Sequence, residues 1–137
     1  MPSKIIPSLR YKDCPKAIEW LGAAFGFTPH LVVPGQDGRI LHAQMVSDGQ
    51  MVMLGSAHEG DEFGRLHSSP LELEGLNTAS IYMIVADADA HYALAIGHGA
   101  EIVLDLKDEA YGGRGYTCKD FEGHLWNFGT YDPWSAS

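Results

Sequence analysis

The feature that most constrains the fold of this chain is an internal repeat with an offset of 74 residues. Residues 40–56 read as a strand, an Asp-Gly turn and a second strand, and residues 114–131 repeat this pattern. Asp13 and Asp87 each open a helical pattern 36 residues before the glycine of the following turn. Each unit therefore reads as a strand, a helix and three further strands, which predicts two copies of one βαβββ module.

Turn and capping residues place the elements of each module. Asp13 and Asp87 are typical helix N-cap residues, and Gly26 and Gly99 follow the last helical positions, where glycine commonly ends a helix. We expect helices between these residues and strands at 4–11, 28–33, 40–46, 50–54, 80–85, 101–106, 114–119 and 125–131.

The first hairpin has a register that can be worked out in advance. If Asp48-Gly49 is a two-residue turn, Gln44 lies opposite Met53, and the residues on either side of each of these two, all of them apolar, share the other face. The apolar face, with Ala43, Met45, Val52 and Leu54, should lie under the helix, and the mixed face should line a cavity. Strand alternation and the repeat extend the cavity face to Ile6, Ser8, Arg10, His42, Gln44, Met51, Met53, Ser80, Tyr82, Ile84, Arg114, Tyr116, Cys118 and Asn127.

At 137 residues the chain is expected to form a single domain, 1–137. Its parts are module one at 1–56, a linker at 57–78 and module two at 79–137. The linker breaks the periodicity and is rich in acidic residues. A connection of this length in a compact domain is either functional or mobile, and the sequence does not decide between a lid and a tether.

The net charge and the apolar content of the chain limit which kinds of partner it is expected to bind. Nine Lys and Arg residues stand against eighteen Asp and Glu residues, a net charge of −9, which argues against nucleic acid and anionic membrane surfaces. The same balance permits a cationic or neutral small-molecule ligand. No apolar run reaches the length of a membrane span, no signal peptide is evident, and the two cysteines suit a reducing compartment, so we expect a cytoplasmic protein.

Two segments carry a resemblance to a known family. LRYKDCPKAIEWLGAAFGF and YGGRGYTCKDFEGHLWNFGTY resemble motifs of the vicinal oxygen chelate superfamily, which includes glyoxalase I, extradiol dioxygenases and bleomycin-resistance proteins. Phe121 stands where the second motif usually has proline. The resemblance covers nearly the whole chain. It implies an α+β fold, with two tandem βαβββ modules forming curved mixed sheets around a cavity and the helices on the outside, but it does not specify an activity.

The resemblance also implies where a divalent metal would be bound. Aligned on the first and last strands of each module, the ligand positions of the family fall on Ile6, Met53, Ser80 and Asn127. A metal of this kind needs at least three good N, O or S donors, and none of these residues is His, Asp, Glu or Cys. We therefore expect neither a metal nor another cofactor.

Catalytic residues are not indicated by the sequence. Of the seven histidines, His42 is the one on the predicted cavity face, and no H-x-x-x-H or H-E-x-x-H pair is present. Cys118 has no histidine beside it in sequence, and no G-x-S-x-G elbow occurs. We predict no catalytic residue and a ligand-binding set of Arg10, His42, Gln44, Tyr82, Arg114, Tyr116 and Asn127.

Two functions remain open at this point. One is a metal-independent protein of the bleomycin-resistance type, which confers antibiotic resistance by sequestering a cationic or aromatic compound. The other is a glyoxalase-like lyase or dioxygenase with a relocated metal site that uses His42 and acidic residues of the linker. In either case we expect a homodimer, because an open four-stranded sheet leaves its concave face exposed.

Overall fold

Two four-stranded mixed sheets and two α-helices form the fold in the computed structural model, which describes residues 2–58 and 60–135. Module one contains β1 (Ser8–Tyr11), α1 (Cys14–Phe25), β2 (Thr28–Pro34), β3 (Ile40–Ser47) and β4 (Gln50–Ser56). Module two contains β5 (Ile81–Ile84), α2 (Ala88–Gly97), β6 (Glu101–Asp108), β7 (Arg114–Lys119) and β8 (Leu125–Gly129).

The two sheets have the same topology. Their strand orders are β1-β4-β3-β2 and β5-β8-β7-β6, so the first strand of each module lies at an edge of its sheet. That edge strand pairs in parallel with the last strand of its module, and the remaining neighbours are antiparallel. This confirms the predicted α+β fold of two tandem βαβββ modules, with sheets that remain open.

The helices begin and end where their capping residues predict. The Asp13 carboxylate accepts a hydrogen bond from the backbone N–H of Lys16, and the Asp87 carboxylate does the same for Ala90. Gly26 ends α1 with φ of 81°, a left-handed conformation that glycine adopts without steric cost.

The first hairpin has the predicted register. Gln44 pairs with Met53, and Val46 pairs with Met51, across a turn formed by Asp48 and Gly49. The opposite face is fully buried against the core through Ala43, Met45, Val52 and Leu54.

The second hairpin corrects the prediction for β7. The residue opposite Asn127 is Thr117, and Tyr116 pairs with Phe128 in the core. The cause is loop length: two residues separate β3 from β4, whereas five separate β7 from β8. This shifts the register by one residue and reverses the faces of β7. The prediction that Arg114, Tyr116 and Cys118 face the cavity is therefore wrong.

The five-residue connection of the second hairpin joins the two modules through Asp120, which is buried. One oxygen of this carboxylate accepts hydrogen bonds from Tyr11 of module one and from the indole of Trp126. The other oxygen accepts from the backbone N–H groups of Glu122 and His124. All four contacts satisfy a charge that would otherwise be costly to bury.

Glu122 extends this connection to the linker. Its carboxylate accepts from the backbone N–H groups of Lys12 and Asp13, at 2.7 Å each, and from the Ser69 hydroxyl at 2.6 Å. The linker itself contains two 3₁₀ turns, Gly64–Leu66 and Pro70–Leu73, and Glu72 forms an ion pair with Lys12. The second half of the linker is therefore attached to both modules.

The modules share one hydrophobic core. Phe25 of α1 packs against Trp126 and Phe128 of the second sheet, with ring centroids 5.1 and 4.7 Å apart. The Trp20 indole donates to the carbonyl of His98 at the end of α2. None of the described helices is long and apolar enough to cross a membrane.

Candidate functional site

A cleft of about 890 Å³ lies between the two sheets. We call it the seam cleft, because it lies between the edge strands β1 and β5. Its walls come from the N-terminal segment, the β3–β4 turn, the starts of β4 and β8, and the Pro133-Trp134 segment. Its volume falls in the range of small-molecule sites, which are about 300–1,000 Å³.

Aromatic and polar side chains are combined in the seam cleft. Tyr82 and Trp134 supply aromatic surface, and Trp134 is 94% exposed. Asn77 and Gln50 add amide groups. A cleft with this composition suits a ligand with an aromatic portion, because aromatic rings bury a large area and polar groups fix orientation.

The open face of the first sheet holds three of the predicted ligand residues. The Nε2 atoms of Gln44 and His42 lie 3.2 Å apart. Arg10 crosses over Gly55, where an added Cβ would lie 1.9 Å from the Arg10 Nη1 atom, so only glycine leaves room for the guanidinium. The guanidinium also lies 5.3 Å from the ring centroid of Phe63 in the linker.

The open face of the second sheet holds two more, Tyr82 and Asn127, which pair across β5 and β8. The Tyr82 hydroxyl donates to the carbonyl of Tyr131 at 2.6 Å, and burial, followed by the neighbouring Tyr111 and Asp132, raises the pKa of this phenol. The Asn127 amide donates to Ser80 and to the Ile81 carbonyl, and it accepts from Thr117. Asn127 is therefore held in place by its neighbours.

The last two predicted ligand residues lie on the helix side of the second sheet. Tyr116 is buried, its hydroxyl lies 2.6 Å from Nδ1 of His91, and burial raises the pKa of the phenol. Arg114 forms hydrogen-bonded ion pairs with Asp89 of α2 and with Asp108. Both residues have structural partners there instead of a place in the cavity.

Within the described part of the chain, no hydrogen bond or ion pair joins the first-sheet set to the second-sheet set. Of the seven predicted ligand residues, only Tyr82 lines the seam cleft. Trp134 and Asn77 were not predicted from the sequence. Strand alternation predicts only which face of a sheet a residue lies on, whereas the cleft lies between the edges of two sheets. The strand order of a βαβββ module, which puts its first strand at a sheet edge, was the signal that could have located it.

The residues at the family's metal positions do not fit a metal. Ile6 and Met53 offer no hard donor, and the Asn127 amide oxygen accepts from Thr117. Across residues 2–58 and 60–135, no three His, Cys, Asp or Glu side chains are grouped in a way that could hold an ion.

The cysteines do not provide a reactive nucleophile. Cys14 and Cys118 are both buried, and burial raises the pKa of each thiol to about 12. Because the thiolate is the reactive form, both side chains remain unreactive near neutral pH.

Comparison with known proteins identifies the family. The Glyoxalase/Bleomycin resistance protein/Dioxygenase superfamily matches residues 6–128. The chain belongs to this superfamily, in agreement with the resemblance carried by its two sequence motifs.

Individual relatives support the same fold. An uncharacterised protein of Mycobacterium bovis, Mb0911c, is 32% identical over 123 residues, which are 90% of this chain and 80% of the relative. The crystal structure of TioX from Micromonospora sp. ML1 is 31% identical, covers 93% of this chain and 94% of its own, and has a TM-score of 0.72.

A more distant structure shares the fold alone. FosX, a fosfomycin resistance protein from Listeria monocytogenes, is 15% identical, with 97% of this chain and 94% of FosX covered and a TM-score of 0.68. That structure is a complex with Mn(II) and 1S,2S-dihydroxypropylphosphonic acid.

Proposed function

We propose that this protein binds and sequesters a cationic or aromatic small molecule without a metal and without altering it chemically. The observation that carries the proposal is the seam cleft, which presents Tyr82 and Trp134 beside amide groups. The net charge of −9 favours a cationic ligand over an anionic one. Sequestration of this kind is a route to antibiotic resistance, and the free, buried cysteines fit a cytoplasmic setting.

The alternative, a glyoxalase-like lyase or dioxygenase with a relocated metal, has weaker support. It requires at least two further donors beside His42, and the ring of His42 lies instead beside the Gln44 amide. The absence of a three-donor group among the described residues gives this alternative no starting point in the structure.

We also propose that two copies associate as a homodimer. Arg10, His42 and Gln44 lie on one open sheet and Tyr82 and Asn127 on the other, so a single chain does not bring them together. A second copy related by a two-fold axis could place the first sheet of one chain against the second sheet of the other. Partly exposed apolar side chains on both open faces, Leu31 and Leu104 among them, supply surface for such contact. Sedimentation velocity at micromolar concentration should give a dimer, and a monomer would count against it.

Ligand binding is tested with ethidium, a planar aromatic cation, as the probe. We expect saturable quenching of tryptophan fluorescence and recovery of unchanged dye after denaturation of the protein. Trp134→Ala should weaken binding by roughly threefold or more, because an aromatic contact contributes about 0.5–1.5 kcal/mol. Leu66→Ala, an exposed change in the linker, is the matched control and should leave binding unchanged.

Two results would contradict the proposal. One is an absence of saturable binding of ethidium and of its uncharged parent ring phenanthridine. The other is stoichiometric metal, measured by elemental analysis of protein purified without chelators, since it would support the enzyme.

A further inference from the structure

A group of three tyrosines lies beside the seam cleft and is not explained by the core. We call Tyr82, Tyr111 and Tyr131 the tyrosine cluster. The rings of Tyr111 and Tyr131 are nearly perpendicular, at 83°, with centroids 4.9 Å apart. The Tyr82 hydroxyl donates to the Tyr131 carbonyl. Tyr82 and Tyr111 keep 41% and 61% of their surface exposed, so ring surface remains accessible to a ligand.

Glycines allow the cluster to form. At Gly113, whose φ is 75°, an added Cβ would lie 2.6 Å from the backbone nitrogen of Tyr131. At Gly129 it would lie 2.9 Å from the Tyr82 hydroxyl. A side chain at either position would therefore displace a member of the cluster, since contacts below 3.0 Å require the neighbour to shift.

Two acidic side chains, Glu109 and Asp132, lie near the cluster. Glu109 and Asp132 both contribute to the raised pKa of Tyr82, after the larger effect of burial, and Glu109 does the same for Tyr111. Among the residues that the structure describes, neither carboxylate forms an ion pair with Lys or Arg. The cluster therefore has two carboxylates near it that are not engaged in ion pairs with Lys or Arg.

The cluster is continuous with the cleft through Tyr82, which belongs to both, and through the Pro133-Trp134 segment that follows Tyr131 and Asp132. A ligand whose aromatic portion occupies the seam cleft can extend a substituent to the tyrosines. Electron-rich ring faces beside carboxylates are the surroundings in which proteins bind alkylated ammonium groups.

We propose that the tyrosine cluster, together with Glu109 and Asp132, binds the alkylammonium group of the ligand that occupies the seam cleft. The proposal rests on the proposed function and narrows it to one ligand class: an aromatic compound with an alkylated ammonium substituent. Such a group keeps its charge and carries methyl surface that contacts the rings.

The test compares choline with 3,3-dimethyl-1-butanol, which has the same shape without the charge. Binding is followed by backbone amide chemical shifts of the full chain. Choline should bind about tenfold more tightly than the alcohol, with the largest shifts at residues 109–113 and 130–132, because the cation–π and carboxylate interactions need the charge. Equal binding of the two probes would overturn the proposal.

Variants locate the interaction. Tyr111→Leu should weaken choline binding about threefold to tenfold, whereas Tyr111→Phe should retain it within about twofold, because the ring and not the hydroxyl attracts the cation. Phe63→Leu removes a similarly exposed ring far along the chain and is the matched control. An unchanged affinity of Tyr111→Leu, or an equal loss in Phe63→Leu, would refute the assignment.

Charge is tested in the same way. Glu109→Gln should weaken choline binding about twofold to fivefold at low salt, and the difference from the unaltered protein should shrink as salt screens the carboxylate. Glu62→Gln, an acidic residue of the linker, carries the same change in net charge and should have no effect. If ethidium binds and choline does not, the tyrosine cluster is not an ammonium site although the proposed function stands. If ethidium, phenanthridine and choline all fail to bind, both proposals fail.

Discussion

The two hairpins that close the modules occupy equivalent positions in the repeat and have diverged in their surroundings. The β3–β4 hairpin turns through Asp48 and Gly49, both exposed to solvent. The β7–β8 hairpin turns through residues 120–124, where Asp120 and Glu122 are buried and hold module one and the linker. The two modules thus share one sheet topology, but only the second turn holds buried carboxylates that bond to the other module and the linker. The longer β7–β8 connection, which contacts module one, also shifts the register by one residue and so reverses the faces of β7.

The largest expected difference is between His42 and Tyr116, which lie 74 positions apart in the repeat and on opposite faces of their sheets. Tyr116→Ala should lower the free energy of unfolding by about 3–5 kcal/mol, because it empties a buried aromatic site. His42→Ala, on an open face, should change it by about 0.5 kcal/mol or less. Urea unfolding measures both. Equal losses would mean that the two hairpins share one register after all.

Second in size is the difference between the two turn aspartates. Asp120→Asn should lower the free energy of unfolding by about 3 kcal/mol, because an amide NH₂ cannot accept from Tyr11 and Trp126, and bonds to a charged acceptor contribute about 1.5–3 kcal/mol each.

Asp48→Asn is the matched control for that change. Asp48 has φ of 49°, which asparagine tolerates well, so the free energy of unfolding should stay within about 0.5 kcal/mol. Thermal melts of the Asp48→Asn and Asp120→Asn variants, run in parallel, compare the two losses of stability. A loss at Asp48 comparable to that at Asp120 would show that the buried carboxylate is not what distinguishes the turns.

A smaller difference is expected between the turn glycines. Gly49→Ala should lower the free energy of unfolding by about 1 kcal/mol, because φ is 78° and no other atom lies near the added Cβ. Gly123→Ala adds a contact of 3.2 Å with the Pro70 side chain to a φ of 96°, so its loss should be larger. If Gly49→Ala is the more damaging of the two, Pro70 does not pack on the turn as described.

The smallest expected effect is on the pH dependence of stability, and it distinguishes the two helices. His91 of α2 stands where α1 has Ala17, and burial lowers the pKa of His91 below its usual value. The unfolded chain therefore takes up this proton more readily than the folded one. Stability that is present above the unfolded pKa should be lost as the pH falls through the folded value. The melting temperature should decline between pH 7 and pH 5, where an unperturbed histidine with a pKa of about 6.5 takes up its proton.

Two variants test whether His91 causes this decline in melting temperature. His91→Gln keeps a group that can accept from the Tyr116 hydroxyl and cannot titrate, so its melting temperature should vary less across this range. His30→Gln, on the exposed β2, should behave like the unaltered protein. A variant at His91 with an unchanged pH dependence would assign the effect to other groups.

Local sequence determined the modules, the two helices, the eight strands and the register of the first hairpin. These features follow from period-two alternation, from N-cap aspartates and from glycines at helix ends, all of which act over a few residues. Asp13, Gly26 and the Asp48-Gly49 turn could be predicted from sequence because each acts on backbone groups only a few residues away.

Tertiary structure alone decided the face of β7, the burial of Asp120 and Glu122, and the position of the seam cleft. The segment Asp120-Phe121-Glu122-Gly123 is compatible with turns of different lengths, and its length is settled by partners such as Tyr11 that lie 109 residues away. The cleft exists because two edge strands stay apart, a relation between modules that no local pattern records. Alternation assigns a residue to a face of its strand, but only packing decides which strands meet and what lies between them.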